Sequence, residues 1–213
     1  SENGGDDVVY GDAGDDYIRT NESVVTNDYV DGGDDDDAIY TYGGSDTLIG
    51  GAGDDTLNGG DGRDTLQGGA GNDWLHGDGE FGGERDYFVF TGPDDGRDMT
   101  DFDIEITQTD RALDFTGEGP YTGAFSVTMG DTLVIAEGSS AVAVLATDMD
   151  TGDYLALQIN ILDATGAITG RFQSFTDSLP FDVDIWPQAR PVFLEAAQAA
   201  LDANTVYEVH GLL

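Results

Sequence analysis

Apolar residues in the first ninety positions recur every nine, a period that belongs neither to a helix face nor to a strand face. The clearest run is Gly50 to His76, which reads GGAGDDTLN, GGDGRDTLQ and GGAGNDWLH. Numbered from the first Gly of each unit, position eight is Leu57, Leu66 and Leu75, with polar or aromatic neighbours. The same frame places Val9, Ile18, Val30, Ile39, Leu48 and Phe88 at position eight in the other units. Position six is equally regular and always acidic: Asp7, Asp16, Asp28, Asp37, Asp46, Asp55, Asp64, Asp73 and Asp86. A disordered acidic linker has no reason to hold an apolar position in register.

Each unit therefore has a polar half and an apolar half. The stretch around position eight, such as Thr56-Leu57-Asn58, is long enough for one brief strand with its middle side chain inward. The glycines supply the backbone angles that a tight, repeated turn needs. One unit cannot bury its own apolar residue, whereas stacked units can. The pattern predicts an all-β solenoid with strands in stacks and turns on its two edges.

The turns pose an electrostatic problem. Stacking brings carboxylates of successive turns together, and like charges repel. Carbonyl oxygens of Gly50, Gly51, Gly53, Gly59, Gly60, Gly62, Gly68, Gly69 and Gly71 converge on the same edges. A hard cation that accepts six to eight oxygens in irregular geometry resolves both, which points to Ca2+. No His or Cys recurs in the turns, which argues against zinc and copper. Mg2+ is disfavoured because it demands octahedral geometry and keeps its waters.

The nonapeptide G-G-x-G-x-D-x-apolar-x resembles the calcium-binding repeat of RTX (repeats-in-toxin, hemolysin-type) proteins. The match runs from Glu2 to Val89, and the three units from Gly50 to His76 fit at every defined position. The resemblance implies a right-handed parallel β-roll in which two nonapeptides make one coil. Calcium then lies between turns n and n+2 of one edge. One edge would carry Asp7, Asp28, Asp46, Asp64 and Asp86, the other Asp16, Asp37, Asp55 and Asp73. That arrangement offers up to about seven ions. The best slots pair Asp37 with Asp55, Asp46 with Asp64, and Asp55 with Asp73. Extra residues in the units Thr20–Asp31 and Gly77–Val89 weaken the slots of Asp28 and Asp86.

Composition narrows the setting. The formal charge is -37, with seven basic residues, every one of them Arg. Residues 1–90 hold 23 acidic side chains against 3 Arg, and residues 91–213 hold 21 against 4. Such a field repels nucleic acid and anionic membrane surfaces and opposes folding until cations neutralise it. Cysteine is absent, so bound calcium is the expected staple in place of disulfides. No apolar run reaches transmembrane length. The chain opens almost inside a repeat and reads as the C-terminal part of a longer protein. The RTX resemblance implies a bacterial protein, secreted or held at the cell surface, exported unfolded by type I secretion machinery and folded by calcium outside the cell.

After Val89 the nine-residue period stops. We take residues 1–90 as the roll and 91–213 as a β-rich cap with one short helix and a role in secretion. The segment Arg85–Phe90, Asp98–Phe102 and Asp110–Phe115 resembles the stretch that closes the roll in serralysin-type C-terminal domains. An open solenoid end needs such a closure. Further strands are expected at 124–129, 132–136, 141–146, 154–162, 167–169, 171–175 and 205–209. Gly130-Asp131 and 163–166 read as hairpin turns. A helix should start at Pro191 and stop near Asn204. No catalytic constellation stands out, and any catalytic domain would lie upstream. His76 reads as a surface residue, and His210 carries no signal. Asp182, Asp184 and Trp186 offer a sugar-facing cluster or a packed strand. Two other functions fit the sequence. One is a structural or adhesive surface protein that self-associates with calcium. The other is a carbohydrate-binding or hydrolase domain in residues 117–213, with a cell-surface glycan as its ligand.

Overall fold

A computed structural model describes residues 5–20, 25–78, 84–92, 96–100, 104–108, 125–147, 155–174 and 189–207. Asp182, Asp184, Trp186, His210 and the stretch 109–124 lie outside the described residues. The protein is mostly β, built as a parallel solenoid with one helix near its C-terminus. Four coils come from strand pairs β1 (Val8–Ala13) and β2 (Tyr17–Arg19), β3 (Tyr29–Asp34) and β4 (Ala38–Tyr40), β5 (Thr47–Ala52) and β6 (Thr56–Gly60), and β7 (Thr65–Ala70) and β8 (Trp74–Asp78). A fifth pair, β9 (Tyr87–Phe90) and β10 (Arg97–Thr100), follows in the same manner.

Odd-numbered strands pair in parallel in one sheet and even-numbered strands in the other. The register brings position-eight residues side by side: Val9, Val30, Leu48, Leu66 and Phe88 in the first sheet. Ile18, Ile39, Leu57 and Leu75 align in the second. From Val30 to Phe88 all of these are fully buried, while Val9 and Ile18 at the first coil are partly buried. The nine-residue apolar period is thus the core itself. In β10 the aligned residue is Thr100, buried against Leu75, so the second apolar column ends on a polar side chain.

Both sheets continue beyond β10. Strand β11 (Ile104–Gln108) pairs antiparallel with β12 (Phe125–Met129) as a separate ribbon. Strand β13 (Thr132–Ile135) then joins the first sheet in parallel with β9, placing Leu133 beside Phe88. Gly130-Asp131 is therefore not a hairpin turn. It carries the chain from one sheet to another, because Asp131 takes a place in the stacked turns described below. Strands β14 (Ser140–Thr147), β15 (Leu155–Leu162) and β16 (Ile168–Ser174) form an antiparallel meander that extends the second sheet through β16 and β10. The turn at 163–166 closes β15 and β16 as expected, its Asp163 side chain accepting from the N–H groups of Thr165 and Ala167.

Helix α1 (Ala189–Asn204) buries Phe193, Ala197 and Leu201, one face at four-residue spacing. Its Gln198 side chain accepts from Ala143 N–H and donates to Ala141 C=O, both at 2.9 Å. That amide satisfies the free side of β14, the edge strand of its sheet. Asn204 and Thr205 cap the last turn through Ala200 and Leu201 carbonyls, and β17 (Thr205–Tyr207) adds to β13 in parallel. Among the described residues no helix is long and apolar enough to cross a membrane.

Candidate metal centre

Every position-six aspartate sits in a turn, and the turns stack into two edges. On the first edge the backbone N–H of Asp7 donates to Asp28 Oδ1, Asp28 to Asp46, Asp46 to Asp64, and Asp64 to Asp86. On the second edge Asp16 donates to Asp37, Asp37 to Asp55, and Asp55 to Asp73. The division between edges follows the two-nonapeptide coil. Asp7 and Asp16 are partly buried, and the other seven are at most 3% exposed.

The ladders do not end with the repeats. Asp73 N–H donates to Asp98 Oδ1 and Asp86 N–H to Asp131 Oδ1, both at 3.0 Å. Asp98 and Asp131 are equally buried. The sequence reading missed both. A signal was present for the second, because Asp131-Thr132-Leu133 repeats the Asp-Thr-Leu of residues 46–48, 55–57 and 64–66.

A second set of bonds runs the opposite way at position five, also unread in the sequence. Asp6 accepts from Asn27 N–H and Asn27 from Ser45 N–H on the first edge. Asp15 accepts from Asp36, Asp36 from Asp54, and Asp54 from Asn72 on the second. Asp and Asn side chains at this position bond readily to nearby backbone, whereas the units of Asp64 and Asp86 carry Arg63 and Arg85 there.

The turn glycines make room for these carboxylates. A Cβ on Gly50 would strike Asp55 Oδ2 and lie 2.6 Å from Gly68 O. Gly68 stands in the same way against Asp73 Oδ2, as do Gly59 against Asp64 and Gly32 against Asp37. At position two, Gly51 and Gly69 hold φ of +121° and +107° with the preceding coil's carbonyl pressed against them, a setting no side chain tolerates. The remaining turn glycines, Gly53, Gly60, Gly62 and Gly71, pack against carbonyl oxygens of the preceding coil in the same manner.

The electrostatics of the edges are unfavourable without a cation. Oδ2 of Asp37 and of Asp55 is buried and has no hydrogen-bond partner. Burial raises the Asp37 carboxyl above its ordinary range, with Asp16, Asp15 and Asp35 adding to the effect. Burial pushes Asp55 up to about 7, helped by Asp73, Asp37 and Asp36. Asp46 is pushed up to about 6, again chiefly by burial, although the Thr41 hydroxyl beside it pulls the other way. Among the described residues no three His, Cys, Asp or Glu side chains converge on one point. A cation here must be shared by carboxylates of two stacked turns and by backbone carbonyls, an all-oxygen donor set that suits Ca2+. The residues present fit such an ion. Its charge would offset the carboxylates, and its coordination would use oxygens that lack donors.

This architecture defines a class: a parallel β-roll with aspartate-lined edges. Residues 3–22, 26–57 and 49–80 match the family model described as RTX calcium-binding nonapeptide repeat (4 copies). The first part of the chain is thus an array of RTX calcium-binding repeats. No curated protein matches the chain.

Proposed function

We propose that the chain is the calcium-binding module of an exported bacterial protein, whose roll stays unfolded at low calcium and folds in a calcium-rich medium. The observation that carries this reading is the pair of buried Oδ2 atoms on Asp37 and Asp55, stacked in one ladder without a donor. A buried carboxylate oxygen without a partner is costly, and a bound cation removes that cost. The stacked aspartates Asp7, Asp16, Asp28, Asp37, Asp46, Asp55, Asp64, Asp73 and Asp86, with turn carbonyls, are the ligands. Asp98 and Asp131 extend the two series.

Residues 1–90 supply most of this edge, and residues 91–213 close the roll much as serralysin-type C-terminal domains do. The parallel pairing of β13 with β9 and of β16 with β10 supports that role, since both cover the end of the coil stack. Export by type I secretion machinery is supported by the RTX repeats, which are typical of secreted bacterial proteins. The absence of cysteine and a charge of -37 agree with it. The test is far-ultraviolet circular dichroism of the whole chain titrated with calcium and, separately, with magnesium. Strand signal should appear with calcium at millimolar concentration or below and not with magnesium. Full strand signal in chelator, unchanged by calcium, would overturn the reading.

A further inference from the structure

The two edges differ at position one of their turns. On the second edge this column is glycine throughout: Gly11, Gly32, Gly50 and Gly68. A Cβ on Gly32 would meet both the Oδ2 of Asp37 and the carbonyl of Gly50, and one on Gly50 both the Oδ2 of Asp55 and the carbonyl of Gly68. No side-chain hydroxyl stands between them. Oδ2 of Asp37 and Asp55 is buried without a hydrogen-bond partner, as is Oδ2 of Asp46 on the first edge, so the edges differ in their hydroxyls and not in their carboxylates. On the first edge the equivalent places are Thr20 and Thr41, followed by Gly59.

Those threonines are buried, and their hydroxyls are used. Thr20 Oγ1 donates to Thr41 O at 2.9 Å, and Thr41 Oγ1 to Gly59 O at 3.0 Å. These are the first-edge counterparts of the Gly50 and Gly68 carbonyls. A third buried hydroxyl, Thr26, donates to Oδ2 of Asp28 at 3.3 Å. So between Asp28 and Asp64 protons of threonine lie where the second edge presents only oxygen. Position five adds to the contrast. The second edge carries Asp15, Asp36 and Asp54 there, whereas the first carries Asp6, Asn27 and Ser45.

We infer that the edges are unequal cation sites. The second edge, from Asp37 to Asp73, takes calcium tightly and first, while threonine hydroxyls occupy the turn carbonyls of the first edge between Asp28 and Asp64 and weaken its sites. This rests on the calcium reading above and makes loading ordered. It also demotes the Asp46–Asp64 pair from the strongest slots to the weaker class. A hydroxyl that donates to a lattice oxygen must turn away or be displaced before that oxygen can bind a cation. Giving up a neutral hydroxyl–carbonyl bond of this kind corresponds to a factor of up to roughly ten in affinity.

Calcium titration calorimetry on the whole chain tests it. The wild type should show two classes of site, up to about tenfold apart. Asp55→Asn should abolish the tight class, and Asp46→Asn should affect only the weak one. Replacing Thr20 and Thr41 together by Gly should convert weak sites to tight ones, and replacing both by Ser should leave the wild-type isotherm. If the glycine variant does not fold even in calcium, the comparison of Asp55→Asn with Asp46→Asn decides alone. Equal losses of tight binding in those two variants would overturn the inference, as would a glycine variant with an unchanged isotherm. Absence of any calcium binding by the wild type would instead overturn the reading on which it rests.

Discussion

A coil of the roll and the C-terminal meander hold their strands together by different means. In the roll, coils spaced eighteen residues apart each bury two apolar side chains, such as Leu48 and Leu57, between two buried aspartates. At the junction with the C-terminal part, Phe90 of β9 stacks on Phe172 of β16 with ring centroids 4.9 Å apart. Leu157, Ile159, Phe193, Ala197 and Leu201 complete an ordinary core there. The first region uses its inward positions sparingly and crowds like charges at its edges, so its stability depends on what neutralises them. The second depends on apolar area. The condition for folding is thereby placed in the repeats.

The largest expected effect follows from removing calcium. Amide hydrogen exchange of the whole chain in chelator should show β3 to β8 losing protection, while β14 to β16 and α1 retain more of theirs. Uniform loss across both regions would show that the roll and the C-terminal core fold as one unit. Uniform retention would show that the apolar columns alone hold the roll.

Next in size are changes to the core columns. Leu57→Ala should cost about 2–5 kcal/mol of stability, and Phe172→Ala about 3–5 kcal/mol, measured by denaturant unfolding in calcium. Excess calcium should compensate Leu57→Ala more fully than Phe172→Ala, because Leu57 lies inside the calcium-linked coils and Phe172 at their end.

A smaller effect is expected from pH. In the calcium-free protein Asp46 and Asp55 have folded-state pKa values raised to about 6 and about 7 from the ordinary 3.8. The folded chain therefore binds more protons than the unfolded chain between about 4 and 7. Stability in chelator should be greatest below about pH 4, fall as pH rises to about 7, and level off above that. With calcium the dependence should reverse, since protons and the cation compete for the same carboxylates. Thermal midpoints across this range, with and without chelator, check both signs. Smallest of all is Asp34→Ala, an exposed strand-end residue outside the ladders, expected within about 0.5 kcal/mol of wild type.

The roll was legible because its period is strict. Each inward residue from Val30 to Leu75 and each stacked aspartate from Asp7 to Asp86 can be named from the repeat alone, as can the edge on which it falls. Position five was not legible, because Asp, Asn, Ser and Arg all occur there and only some of them accept from the next coil. Asp98 and Asp131 escaped for another reason. Neither follows a run of turn glycines, and Asp86 meets Asp131 across forty-five residues. Long-range pairing of that kind leaves no local pattern. The strands of the C-terminal half were visible one by one, and the 163–166 turn joined two of them correctly. Their sheet assignments are not visible, and Gly130-Asp131 has the local look of a hairpin turn although it links strands of different sheets. The helix was recognisable from its apolar spacing and its Pro, yet its attachment to β14 through Gln198 depends on one amide that no periodicity announces.

The central claim is that stacked carboxylates on the edges of the roll hold calcium. Anomalous diffraction from crystals grown in millimolar calcium tests it most directly. The account predicts metal peaks between the turns of Asp37 and Asp55 and between those of Asp55 and Asp73, each coordinated by both carboxylates and by turn carbonyls. Folded turns in millimolar calcium with no metal at either place would contradict it.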